Sequence, residues 1–190
     1  MIQEIGSLLV ETVFGMMVFV LLLRFYMQLV RAPFRNPIGE FTTALSNWIV
    51  LPVRRFVPGL FGIDLSTLLL AWVAQVLMIV LMGMLRGASL SSAAIGLVLV
   101  MAALGIARYF LYVLMGVVII HVVTSWVGQG SPMGPVVDAL AKPLYRPFRK
   151  FIPPMGNIDL TPLVVVVLIQ IGLIVVAGAS RALVMPVLPQ

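Results

Sequence analysis

The chain contains no cysteine among its 190 residues. That excludes disulfides, zinc ribbons, iron–sulfur ligation and thiol nucleophiles, and leaves the redox compartment open. Charge is nearly as scarce, at 9% of residues, with six carboxylates and a single histidine, His121. So few ionisable groups offer no nucleophile–base or metal constellation, and neither an enzyme nor a cofactor is expected. A basic signal-peptide region is missing too: Glu4 and Glu11 occupy the N-terminus and no small-residue cleavage site follows, so the first apolar run reads as a retained span.

What is present is apolar. Hydrophobic residues make up 62% of the chain and the mean hydropathy is +1.19, outside the range of water-soluble folds. The net charge of +6 is carried at the ends of apolar runs rather than on a polar domain. That placement points to anionic lipid headgroups, not nucleic acid, as the partner.

A bilayer core of ~30 Å needs about 20 apolar residues in a helix. Residues 8–30, 65–85 and 160–180 each qualify, and the run from Leu90 to Val127 is long enough to hold either one span or two. Charge placement favours four spans over five. With four, Arg24, Arg31, Arg35, Arg54, Arg55, Lys142, Arg146, Arg149 and Lys150 share one side, against Arg86, Arg108 and Arg181 on the other. Since Lys and Arg stay cytoplasmic, the expectation is an all-α, multi-pass inner-membrane protein with both basic loops in the cytoplasm and both termini outside.

The two halves align without a gap at an offset of 95 residues, the separation of Asp64 from Asp159. Pro37 then pairs with Pro132, Leu45 with Leu140, Pro52 with Pro147, Arg54 with Arg149 and Gln75 with Gln170. The chain reads as two tandem repeats, 1–88 and 89–190, each a span, a basic amphipathic loop helix and a span. Asn36-Pro37 and Ser131-Pro132 have the form of a cap followed by proline at the first helical position. In the first loop helix Ile38, Phe41, Leu45, Trp48 and Ile49 form an apolar face opposite Thr42, Thr43, Ser46 and Asn47, the pattern of a helix lying in the interface plane. Pro52 and Pro147 should end or kink these helices, placing Arg54, Arg55, Arg149 and Lys150 at the lipid phosphates, with Lys142 and Arg146 nearby. Asp64 and Asp159 suit N-caps of the following spans.

The doubled P-x-R-[RK]-x-[IV]-P core, Pro52 to Pro58 and Pro147 to Pro153, with its trailing Ile63-Asp64 and Ile158-Asp159, resembles the YggT family of bacterial and plastid membrane proteins. The segments from Leu21 to Gln28 and from Thr124 to Pro132 resemble its two-repeat members. The resemblance implies a part in osmotic tolerance, potassium balance or envelope maintenance; plastid relatives are tied to haem attachment. It implies no catalytic residues.

Polar groups inside the spans need an account, because each ionisable one costs roughly 2.5 to 3.5 kcal/mol at the bilayer centre. Glu11 and Arg108 fall at similar depth and are candidates for an interhelical pair, or for separate snorkelling to the surface. Gln75 and Gln170, both near mid-membrane, would line an ion path together or hydrogen-bond across helices. His121 is either a ligand or a hydrogen-bonded bridge. Two functions follow: a non-catalytic scaffold or assembly factor that holds anionic lipid, a membrane-protein partner or a second copy, or a small channel or transporter subunit.

Overall fold

Backbone polar groups cannot be left unpaired in lipid, so a chain this apolar satisfies them inside helices. The computed structural model describes residues 1–57, 59, 63–87, 92–127, 133–150 and 159–184. Six helices are present: α1 (Ile2–Leu29), α2 (Pro37–Arg54), α3 (Leu65–Leu85), α4 (Ser92–Val127), α5 (Gly134–Tyr145) and α6 (Thr161–Val184). Of these, α1, α3, α4 and α6 are long and apolar enough to cross a membrane.

Of the ambiguous run, the described residues from Ser92 to Val127 form one helix. Its 36 described residues continue without a turn, and at ~1.5 Å per residue they extend about 54 Å. Two antiparallel spans need a reversal between them, so the five-span alternative has no structural support. A single span that tilts or projects beyond the bilayer fits the length.

Helix α1 is the hub, packing most extensively on α3 and also on α2 and α4. Helix α4 carries α6 and α5 and also touches α3. The buried core runs through Val18, Leu21 and Leu22 of α1, Ala71 of α3 and Val113 and Val118 of α4. Lipid tails are as apolar as leucine, so close approach at small residues, rather than hydrophobic burial, holds such helices together. Gly105 illustrates this: a Cβ there would collide with the Gln75 amide. Helix α6 packs on α4 and lightly on α5, leaving Leu163, Ile174 and Val175 exposed.

The entry to α2 follows local rules. Asn36 takes an extended backbone and its Oδ1 accepts from Gly39 N–H at 2.9 Å, with Pro37 opening the helix. Gly39 is required there, since a Cβ would run into the Phe34 carbonyl oxygen. Pro52 lies two residues inside the end of α2, whereas α5 stops before Pro147. The matching Ser131-Pro132 lies outside the described residues.

Helix α2 turns its polar face toward the bundle. Thr42, Ser46 and Val50 are buried against the bundle, while Phe41, Trp48 and Leu51 are exposed. The polar face turns inward because α1 supplies Arg24 beneath it. In α5 the equivalent inward positions are Val137, Ala141 and Tyr145, so this helix buries its apolar face.

Candidate functional site

The basic segments after α2 and α5 fold back on the span that follows each of them. Arg54 Nη2 donates to Asp64 Oδ2 at 2.9 Å, and Arg149 Nη2 donates to Asp159 Oδ2 at 3.0 Å. The same contact thus recurs at the 95-residue offset. Asp64 is the N-cap of α3 as expected, its Oδ1 accepting from Thr67 N–H at 3.3 Å. Asp159, by contrast, stands one residue before the cap position of α6, and its Oδ1 accepts from the first helical N–H, that of Thr161, at 2.9 Å. Each carboxylate therefore does two jobs, accepting from the first turn of a span and clasping the arginine of the elbow before it.

The Asp64 carboxylate is the more enclosed. Its oxygens also accept from the hydroxyls of Ser66 and Thr67. Burial pushes this carboxyl up, yet those hydrogen bonds and the Arg54 guanidinium outweigh burial and hold it below the ordinary carboxylate range. It remains charged, and so remains a clasp, at neutral pH.

Each elbow borders a cavity, and the two cavities share their frame. The first, about 390 Å³, is lined by Gln28, Arg31, Arg54 and Asp64. The second, about 900 Å³, includes Val123, Trp126, Arg149 and Asp159, which occupy the four equivalent positions. The frame is common to both, and the wall facing it differs: cationic and amide in one, aromatic and aliphatic in the other.

The remaining cations are free of the clasps. Arg55, Lys142, Arg146 and Lys150 are exposed and form no ion pair among the described residues. They are the groups available to a headgroup or an acidic partner.

Arg24 behaves differently from its sequence role as an orienting headgroup cation. It is 4% exposed, and its Nη1 donates to Ser46 Oγ at 2.6 Å and to Asn47 Oδ1 at 2.7 Å. It fastens α2 to α1 with neutral acceptors. A second tie crosses between the halves, where Tyr26 O–H donates to the Leu140 carbonyl at 2.7 Å.

His121 is a bridge from α4 to α5. Its Nε2 lies 3.2 Å from Asp138 Oδ1, and its Nδ1 lies 3.3 Å from the Tyr145 hydroxyl. Burial pushes the Tyr145 hydroxyl up to about 12, so it keeps its proton at neutral pH. With both ring nitrogens engaged, the imidazole is oriented rather than presented to a ligand.

Two sequence expectations are corrected. Gln75 is 2% exposed against Gly105, whereas Gln170 is exposed on α6, so the two amides do not face one path. The reason is packing: α3 is wedged between α1 and α4, while α6 lies outside α4. Glu11 and Arg108 line a common cleft but make no ion pair, and the Arg108 guanidinium instead stands 5.7 Å from the Tyr109 ring centroid.

The Arg54–Asp64 and Arg149–Asp159 clasps were not expected, although each joins residues ten apart at positions identical in both halves. A family model described as CCB3/YggT matches residues 4–85 and 100–180, the two segments that contain these elements. The chain belongs to the CCB3/YggT family. The Escherichia coli YggT protein is 33% identical over 185 residues, 95% of each chain. A Vibrio alginolyticus protein is 35% identical over 170 residues, covering 86% of this chain and 89% of that one. A Pseudomonas aeruginosa protein is 34% identical over 157 residues, 82% of this chain and 79% of that one. These YggT relatives are themselves described as uncharacterized. No solved structure matches the chain.

Proposed function

We propose that the chain is a non-catalytic scaffold of the bacterial inner membrane that gathers anionic lipid, or an acidic partner, at its two elbows. The observation that carries this reading is the matched pair of clasps. Each aspartate neutralises one arginine and fixes its elbow, and the neighbouring Arg55, Lys142, Arg146 and Lys150 are left exposed without carboxylates. A cation held near an anionic leaflet contributes roughly 1 kcal/mol, so four rigidly placed ones favour a negative surface strongly. By the charge rule the elbows face the cytoplasm. The family resemblance suggests osmotic tolerance or envelope homeostasis as the process served.

The test compares lipid retained by the purified protein from phosphatidylglycerol and from phosphatidylcholine. Replacing Arg55, Lys142, Arg146 and Lys150 with glutamine should erase the preference for phosphatidylglycerol, roughly fivefold per cation at low salt. An unchanged preference sinks the proposal. Ion flux through proteoliposomes of the wild-type protein would revive the channel reading.

A further inference from the structure

At the end of the bundle away from the elbows lies a second kind of cavity, a cleft of about 520 Å³ to which all four long helices contribute. Glu11 of α1, Gln75 and Arg86 of α3 and its end, Arg108 of α4 and Ser180 of α6 line it. Arg86 caps the end of α3 and Gln75 lies eleven residues earlier, so the cleft reaches about 16 Å along the helix, from the rim toward mid-span.

Three observations say that this space is built to hold something. Glu11, Arg86 and Arg108 are ionisable side chains around one cavity, yet none is ion-paired among the described residues. Gln75 is 2% exposed and its Oε1 is buried without a hydrogen-bond partner. A buried acceptor left unmade costs about 1 to 3 kcal/mol, and charges beside apolar spans would pair with each other if nothing else were to come between them. Between the polar groups the walls are Met78, Met82, Met101 and Leu104, flexible side chains that adapt to an aliphatic body.

The inventory sorts by sign. Arg86 and Arg108 supply donors for an anionic group, and the Glu11 carboxylate supplies acceptors for a cation. We infer that this cleft binds a zwitterion, its anionic end on Arg86 and Arg108 and its ammonium on Glu11, with the connecting carbons against the methionines. Two sources carry that chemistry: the headgroup of a phosphatidylethanolamine lipid, entering sideways, and a free α-amino acid with an apolar side chain, entering from the aqueous phase.

The full-length protein is placed in phosphatidylglycerol nanodiscs. One arm adds phosphatidylethanolamine and measures bound lipid by native mass spectrometry; the other measures radiolabelled L-leucine by equilibrium dialysis. Selective retention of one probe is expected, and it names the source. Glu11→Gln keeps the side-chain volume and should weaken that probe about tenfold without altering phosphatidylglycerol retention. Arg86→Gln with Arg108→Gln should weaken it at least as much, with helical circular dichroism confirming the fold. Retention of neither probe by the wild type, or equal retention by wild type and Glu11→Gln, overturns the assignment. Neither outcome bears on the elbow cations, which take no part in this readout.

Discussion

The first clasp closes on a buried aspartate and the second on an open one. The Asp64 side chain is 2% exposed and the Asp159 side chain 38%, although each holds its arginine at nearly the same distance. Beneath the first, α2 presents Thr42 and Ser46 to a buried arginine; beneath the second, α5 presents Val137 and Ala141. Ile119, the equivalent of Arg24, is 52% exposed. One local plan, arginine to aspartate across ten residues, has thus been set in a polar buried frame in one half and in an apolar frame in the other. Clasp geometry is local, whereas burial is a property of the neighbours.

The largest effect should come from stripping the polar frame of the first elbow. Ser46→Ala with Asn47→Ala leaves Arg24 buried with no acceptor, which should cost about 3 to 5 kcal/mol. Unfolding in detergent followed by helical circular dichroism measures it. Adding Arg24→Met should recover much of the loss, since it removes the stranded charge.

Next is a matched glycine pair. Gly39→Ala drives a Cβ into the Phe34 backbone, while Gly134→Ala meets nothing within 4 Å. The first should cost about 3 kcal/mol, and the second should be neutral or slightly stabilising through helix propensity. Equal losses from the two would contradict the difference between the elbows.

A smaller split is expected at the clasps themselves. Asp64→Ala loses a cap, two hydroxyl bonds and an ion pair in an enclosed site, about 2 kcal/mol. Asp159→Ala, more open to solvent, should cost under about 1 kcal/mol. The Asp64 carboxyl lies below the ordinary range in the folded chain. Its contribution is therefore complete above the unfolded carboxylate value, near pH 4, and fades as the pH falls further. Asp64→Asn should be less stable at neutral pH and lose less on acidification; parallel acid limbs would count against the clasp. Smallest of all should be His121→Phe, which breaks the bridge to the largely exposed Asp138 and should cost about 0.5 kcal/mol.

Much of this architecture could be read from the chain. The long apolar runs, the Asn36 cap and the Asp64 cap follow from rules that act within a few residues, and each stands where the pattern put it. The length of α4 was readable, but whether it turned was not, because an uninterrupted apolar run carries no signal distinguishing one tilted helix from two. Arg24 was legible only as a cation near a span end. Its burial depends on a helix laid across it and on Ser46 and Asn47, 22 and 23 residues away. Gln75 and Gln170 look alike in sequence and differ in space because a helix packed on two neighbours buries positions that a helix packed on one leaves bare.

The amino-acid sequence by itself determined which runs are long and apolar enough to cross the bilayer and where the aspartates stand before the second and fourth of them. Those outcomes rest on hydropathy against a fixed membrane thickness and on hydrogen bonds that close locally. Only the tertiary structure decided which of two equivalent aspartates is buried, which glutamine is enclosed and which charges meet around one cleft. Such facts depend on how closely helices approach one another, and two nearly equivalent halves need not pack with equal company.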